Sequence, residues 1–389
     1  MRARRQRTQA RARRDVRVRG DGRARVRYAV VGLGWIAQSA ILPAFAGAKR
    51  NSELVALVSD DATKLRALGR KYGVGGLYTY EQYDLCLQQG GVDAVVIALP
   101  NTLHRAYAEA AAAAGVHVLC EKPMAMTEQD CASMIESCRR AGVKLMVGYR
   151  LHFEKANLEA VSLVRSGKLG EPRLFHAAFI TDVAPGNVRL RAGEGGPLYD
   201  VGVYCINAAR YLFRAEPSEV FGWHARREDS RFAESPEMTA AVLRFPGGRL
   251  ATFACSLGAA SMSSFEIVGT KASLRVAPAF GIAEDLVHHL TRNGKTRTRV
   301  FPAREQFGPE LVYFSECILK GREPEPSGEE GLADVRVLRA IDGSAERGRP
   351  VKLSAFLREQ RPIPEQEIRR PLREKPRRLV NVDDPTPST

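Results

Sequence analysis

The amino-acid sequence predicts an α/β unit followed by an α+β unit: a parallel sheet covered on both faces by helices, then an open, mostly antiparallel sheet domain with helices. Three observations carry this. From Val26 onward, short apolar runs alternate with helical stretches, the pattern of strands buried on both faces. After about Leu151 the strand-like runs show polar alternation or turn punctuation, as a half-exposed antiparallel sheet requires. The length, 389 residues, suits two domains of ordinary size.

Residues 1–26 are Arg-rich and almost free of large apolar side chains, so they are expected to form a disordered basic arm. Tyr28–Val31 is a short apolar run ending at glycine, and Ile36–Ala46 follows with helical character. Leu54–Val58 and Ala62–Tyr72 repeat the strand–helix step. Ala94–Leu99, Leu103–Ala114, His117–Cys120, Glu128–Ala141 and Lys144–Val147 continue it. Thr127 and Asp130 are spaced to cap the helix at Glu128–Ala141. The first unit is therefore expected over 27–150. The second, over 151–355, starts with a helix at Lys155–Ser166. Strands follow at Arg173–Ile180, Glu219–Arg226, Thr239–Phe245, Leu250–Ser256, Ser264–Val268 and Ser273–Val276. Phe245-Pro246-Gly247-Gly248-Arg249 signals a hairpin between two of them. Helices at Pro309–Lys320 and Glu329–Arg347 close the unit. Residues 356–389, rich in Pro and Arg, are expected to form a tail with little packing of its own.

The net charge of +15 belongs mostly to the ends, since residues 1–27 hold twelve arginines against two aspartates. The body is close to balance, and no interleaved aromatics accompany the basic arm, which argues against a nucleic-acid partner. Seven scattered cysteines without a C-x-x-C pair argue against a disulfide framework or a metal site and fit a reducing, cytoplasmic compartment. The longest apolar stretch, Tyr28–Ala48, is interrupted by Gly32, Gly34, Gln38 and Pro43, so neither a membrane span nor a secretory signal is expected.

Gly32-Leu33-Gly34-Trp35-Ile36-Ala37 matches G-x-G-x-x-A directly after a strand and at the start of a helix. In that context Gly32 permits the tight turn, Gly34 lets backbone amides approach a pyrophosphate, and Ala37 keeps helix and strand close. This makes the first unit a Rossmann dinucleotide-binding domain. The next strand ends Val58-Ser59-Asp60-Asp61, with Lys64 shortly after. A hydroxyl at Ser59 with a nearby ammonium favours the 2′-phosphate of NADP. Asp60, one residue on, would instead serve the ribose diol of NAD, so NADP is preferred with NAD as the alternative.

Cys120-Glu121-Lys122-Pro123 ends a strand on the carboxyl side of the sheet, where ligands bind in such folds. Partial burial and the positive charge of a nicotinamide would both favour the neutral amine at Lys122 and make it an acid–base group. Asp200 and Tyr204, four residues apart, share a face if helical and could hold a substrate hydroxyl between them.

With these residues stand Leu99-Pro100-Asn101-Thr102-Leu103-His104, Gly148-Tyr149-Arg150, Asp200 through Arg210, and Gly328-Glu329-Glu330-Gly331 leading to Gly348-Arg349-Pro350-Val351. From about Val26 to Val351 the chain resembles the glucose–fructose oxidoreductase/inositol dehydrogenase (Gfo/Idh/MocA) family. The resemblance is to its glucose–fructose oxidoreductase and NADP-linked sugar dehydrogenase branch, which carries Asp-x-x-x-Tyr where inositol dehydrogenases carry Asp-x-x-x-His. It implies hydride transfer between a nicotinamide and a sugar, polyol or related substrate. Lys122 is then the acid–base residue, Tyr204 assists and Asp200 orients the substrate. Pro100, Asn101, His104 and Glu121 would line the nicotinamide–ribose side, with Arg150 and Arg189 also at the cofactor. Tyr149 and Arg150 would border the sugar pocket, and a cis peptide would precede Pro123. Val188-Arg189-Leu190-Arg191 and a shorter loop to Gly195-Gly196 depart from that branch, so no particular sugar is implied. The family also implies a homodimer or homotetramer. A catalytically silent NAD(P)-binding sensor or scaffold is the alternative; Lys122, Asp200 and Tyr204, all retained, argue against it.

Overall fold

The computed structural model describes residues 24–358, 361–372, 376, 378–382 and 385. The basic arm expected over 1–26 falls outside them up to residue 23. Among the described residues two sheets form. The first has six parallel strands, β1 (Val26–Val31), β2 (Ser52–Val58), β3 (Gly76–Tyr78), β4 (Ala94–Ile97), β5 (His117–Glu121) and β6 (Leu145–Gly148), in the order β3-β2-β1-β4-β5-β6. The order reverses between β1 and β4, the crevice where a dinucleotide is expected in a doubly wound sheet. Val95, Val96 and Ile97 of β4 are all buried, because helices cover both faces. These helices are α1 (Leu42–Ala48), α2 (Ala62–Tyr72), α3 (Tyr83–Gln89), α4 (His104–Ala113) and α5 (Glu128–Ala141).

α2 and α5 have the expected bounds because local signals set both ends. Asp61 accepts from the amides of Thr63 and Lys64, and Gly73 ends α2 in the left-handed region. Thr127 accepts from Asp130 N, and Gly142 ends α5 likewise. The first helix differs from expectation: a wide π turn over Ala37–Ile41 precedes α1, which carries Pro43 in its first turn. Proline has no N–H for the regular ladder, and the wider turn accommodates it.

The second sheet holds nine strands in the order β14-β13-β12-β11-β7-β10-β9-β8-β15. They are β7 (Pro172–Asp182), β8 (Glu219–Ala225), β9 (Met238–Phe245), β10 (Arg249–Ser256), β11 (Gly258–Gly269), β12 (Ser273–Val276), β13 (Leu286–Arg292), β14 (Lys295–Phe301) and β15 (Val351–Lys352). All pairings are antiparallel except β7 with β10. The hairpin β13–β14 was not expected. Its outer strand is exposed up to Val300 and carries Lys295, Arg297 and Arg299, so it shows no apolar periodicity. The readable signal was Asn293-Gly294, both at positive φ, the residues of a type I′ turn.

Helices α6 (Lys155–Arg165), α7 (Val203–Phe213) and α9 (Gly328–Arg347) cover the inner face of this sheet, while α8 (Phe307–Lys320) packs on the first one. There the Tyr28 hydroxyl lies 2.8 Å from Ser315 Oγ. No helix of the described residues is long and apolar enough to cross a membrane.

The expectation of a loosely packed tail is overturned for its described residues. Arg358 pairs with Glu325 and Glu330, and Arg361 with Glu216 at 2.7 Å, both in the interior. Glu367 pairs with Lys155 at 2.7 Å, and Arg370 donates to the Gly47 carbonyl at 3.1 Å. Composition hid this, because arginines read as solvated until buried carboxylates from distant segments meet them.

Candidate active site

Gly32 has φ +90°, and a Cβ placed on it would lie 2.4 Å from the Ala98 carbonyl oxygen, so only glycine fits this turn, which leaves β1 against the end of β4. Around Gly34, nothing among the described residues comes within 4 Å of such a Cβ. That open side lies just before the helix that begins at Trp35 and leaves room for an anion such as a pyrophosphate at the helix start. The Leu33 side chain is buried in the core, as is Ala37, so Leu33 offers its backbone only. At the end of β2 the two candidates for the ribose separate. Asp60 accepts the Tyr80 N–H at 2.8 Å, whereas the buried Ser59 hydroxyl accepts a 3.3 Å bond from Asp61 N. Lys64 Nζ lies 3.9 Å from Asp61.

Lys122 follows β5 directly, and the Lys122–Pro123 peptide is cis as expected. Its Nζ donates to the Asp200 carbonyl at 2.7 Å and to Asp200 Oδ1 at 3.3 Å, and it stands 4.9 Å from the centre of the Tyr204 ring. Asp200 lies in a π turn over Leu198–Gly202, and Tyr204 opens α7 just beyond. Four residues apart on consecutive helical turns, the two share a face and meet one amine. Arg189 Nη1 holds Asp200 Oδ2 at 2.7 Å, and Arg150 Nε donates to the Tyr204 hydroxyl at 3.2 Å. Burial opposes the charge on Asp200, but Arg189 and Lys122 outweigh it and bring the carboxyl down to about 2. Burial also opposes the charge on Lys122. Tyr204, Asp200 and Glu121 overcome that too, and the amine sits above its ordinary value. The expectation of a neutral-leaning amine is therefore corrected: the Asp200 carboxylate in hydrogen-bond reach favours the ammonium.

Several expected ligand residues are spent on the protein. Both ring nitrogens of buried His104 face backbone carbonyls, of Pro123 and of Leu99, each at 3.0 Å, so it ties the Lys122 turn to the end of β4 and offers no group to a ribose. Tyr149 is buried with its ring stacked on His152, not open to a sugar. Arg150 is buried as well. Its donors go to Tyr204, Gln306 and the carbonyls of Phe280 and Gly281, so it positions Tyr204 instead of meeting a ligand. Arg189 likewise holds Asp200, but its side chain is only partly buried. Asn101, just after Pro100, is tied to Glu194, which accepts from Asn101 N and Thr102 Oγ1 at 2.7 Å each. Glu121 remains beside the amine, its carboxyl raised by burial.

Sequence reasoning missed two acids. Glu194 latches the glycine-rich loop 193–196 to Asn101; a lone charge among glycines was the available signal. Glu310 on α8 is buried, and burial followed by the charge of Glu121 pushes it well above its ordinary value. Its place beside β5 depends on α8 crossing to the first sheet, which no local pattern shows.

Residues 26–149 match the NAD-binding Rossmann fold of the GFO_IDH_MocA oxidoreductase family, and residues 157–275 match the GFO/IDH/MocA C-terminal domain. The chain is similar to a D-xylose 1-dehydrogenase [NADP(+)] of Haloarcula marismortui, at 33% identity over 337 residues covering 84% of this chain and 93% of the relative. Aldose-aldose oxidoreductase from Caulobacter crescentus, solved in complex with glycerol, is 39% identical with a TM-score of 0.80, covering 85% of this chain and 100% of that one. A 3-ketoreductase from Actinomadura kijaniata, solved with NADP and TDP-benzene, is 26% identical with a TM-score of 0.75, covering 82% and 98%.

Proposed function

The chain belongs to the Gfo/Idh/MocA oxidoreductase family, and on that footing we propose that it moves hydride between NADP and a carbinol or carbonyl carbon of a sugar or polyol, with Lys122 handling the proton. The observation that carries this reading is the Lys122 amine at the carboxyl end of β5, held at 2.7 Å by Asp200 and facing the Tyr204 ring. Residues 27–150 serve the dinucleotide and residues 151–355 the substrate and self-association. NADP is supported by the relatives named above. At the end of β2 Asp60 is exposed and accepts the Tyr80 N–H through one oxygen, and the Ser59 hydroxyl is buried and accepts from Asp61 N, so the preference rests on those relatives and on the nearby Lys64 ammonium.

The amides after Gly32 and Gly34 would hold the phosphates, and Ser59 and Lys64 the adenosine ribose. The dinucleotide, when bound, supplies the hydride chemistry and a positive ring charge. Asp200 orients the sugar hydroxyl and anchors Lys122. In the oxidising direction Lys122, having first given its own proton to solvent, would take the substrate hydroxyl proton, with the Tyr204 hydroxyl assisting; in the reducing direction its ammonium would give a proton to the oxygen that becomes the hydroxyl. Arg150 keeps Tyr204 aimed, and Glu194 closes the loop that excludes water.

Self-association through the outer face of the second sheet, as a homodimer or homotetramer, is part of the same reading. Trp223 is 53% exposed there and packs on Phe221, with Val242, Leu250 and Leu174 exposed on neighbouring strands. A cytoplasmic location rests on seven buried, unpaired cysteines.

Screening aldoses and polyols with both cofactors tests the activity. Lys122→Ala should lower kcat by about 10²–10⁴ while NADPH titration gives near wild-type affinity. An unchanged kcat on the best sugar ends the assignment of Lys122.

A further inference from the structure

The C-terminal segment reaches the cofactor crevice at three points. Val380 and Gln38 exchange two hydrogen bonds: Val380 N–H donates to Gln38 Oε1 at 2.8 Å, and Gln38 Nε2 donates to the Val380 carbonyl at 3.0 Å. The same Gln38 amide nitrogen donates to the Leu33 carbonyl at 2.9 Å, inside the glycine turn. Asn381 Nδ2 donates to Asp61 Oδ2 at 3.0 Å, two residues beyond Ser59. The Pro385 carbonyl accepts the Ala184 N–H at 2.9 Å, at the start of the loop carrying Arg189 and Glu194.

We propose that Val380, Asn381 and Pro385 belong to the dinucleotide site as a strap that must release before the cofactor leaves, a role that rests on the NADP reading above. The landmarks the strap joins are those the dinucleotide itself joins, with the glycine turn and β2 end on the adenosine side and the 184–196 loop on the substrate side. Asn381 and Pro385 are four positions apart, so no more than about 14 Å of chain separates these two anchored residues. The strap's anchors are not the groups a pyrophosphate needs. The Gln38 side chain and the Asp61 carboxylate are used, while the side of Gly34 stays open among the described residues. The strap thus flanks the cradle without filling it.

Its approach is fixed from behind. Arg358 and Arg361 sit in a buried ionic cluster, Gln366 Nε2 donates to the Glu325 carbonyl at 2.7 Å, and Ile368 and Val380 pack on the core of the first sheet. Asn381 has φ 49°, a left-handed conformation that asparagine tolerates better than most residues. Opening the strap breaks these crevice bonds together, so release of a bound dinucleotide is slowed by the fraction of time it stands open.

The test uses the full chain. Val380→Pro removes the N–H given to Gln38, and Asn381→Ala removes the bond to Asp61. In the double variant, NADPH release, followed by stopped-flow fluorescence on chasing with excess NADP, should be about tenfold faster than in the wild type. A chain shortened after Leu379 should show at least the same acceleration and guards against misfolding of the double variant. Release within threefold of wild type in both variants, with wild type binding NADPH, overturns the strap alone. Absence of NADPH binding by wild type overturns the dinucleotide reading and the strap with it. Slower release in either variant also overturns the strap.

Discussion

Arg210 is the largest side chain with no exposed surface, and replacing it with methionine is predicted to loosen the helix that carries Tyr204. Its guanidinium donates to Glu216 at 2.6 and 3.0 Å, to Glu330 at 2.9 and 3.2 Å, and to Asp334. With Arg358 and Arg361 it balances Glu216, Glu325, Glu330 and Asp334. Methionine fills similar space but leaves two arginines against four acids, and removing one partner from a buried ionic set costs about 3–5 kcal/mol. The loss should depend on pH. Burial, then the charge of Glu330, pushes Glu325 up to about 7, and burial pushes Asp334 up to about 6 against the pull of Arg210. As pH falls through those values both carboxyls take up protons in the folded state. The uncompensated negative charge is then relieved near pH 5 and fully felt near pH 8. Urea unfolding at both values, compared with wild type, should give the larger loss at the higher pH. Asp334→Asn added to Arg210→Met should recover part of the loss at pH 8. A loss under about 1 kcal/mol, below the range for a broken buried pair, or one equal at the two pH values, would refute the reasoning.

Ser59→Asp should swing the NADP-to-NAD preference toward NAD by on the order of 10- to 100-fold through repulsion of the 2′-phosphate; an unmoved ratio of kcat/KM for the two cofactors removes Ser59 as the selector. Gly32→Ala should cost about 1–3 kcal/mol from overpacking against the Ala98 carbonyl, read by urea unfolding, and weaken NADPH binding more than tenfold in a titration. Burial holds His117 down to about 4, and its Nδ1 accepts the Lys144 N–H at 2.9 Å. Its folded value lies below the ordinary one, so its contribution is present above about pH 6.5 and lost as pH falls toward 4, at most about 3 kcal/mol. His117→Gln keeps an acceptor without the titration, so the difference in unfolding free energy from wild type should change between pH 7 and pH 4.5; a constant difference counts against this.

What could be read without the fold followed the range of the forces. α2 and α5 were legible to the residue because Asp61, Gly73, Thr127 and Gly142 act on amides and carbonyls within one turn. The Rossmann turn was legible because Gly32 and Gly34 answer a backbone need at their own positions. β14 was not, because an exposed edge strand owes its place to pairing with β13 and not to burial. Lys122, Asp200 and Tyr204 were recognisable as candidates, and the four-residue spacing put the last two on one face, yet the meeting of that face with Lys122 joins residues far apart in the chain and depends on tertiary packing.

The order of residues by itself determined the two-unit architecture, the glycine cradle and the amine at the end of β5, since each follows from periodicity, turn chemistry or position along a strand. Only the folded chain decided that His104, Tyr149 and Arg150 serve the protein's interior, that Asp200 favours the ammonium of Lys122, and that a basic tail is drawn into a buried ionic cluster and on to the crevice. Those outcomes come from charges and hydrogen-bonding groups up to hundreds of residues apart in sequence. Their energies depend on desolvation and distance, which exist only once the chain has closed on itself.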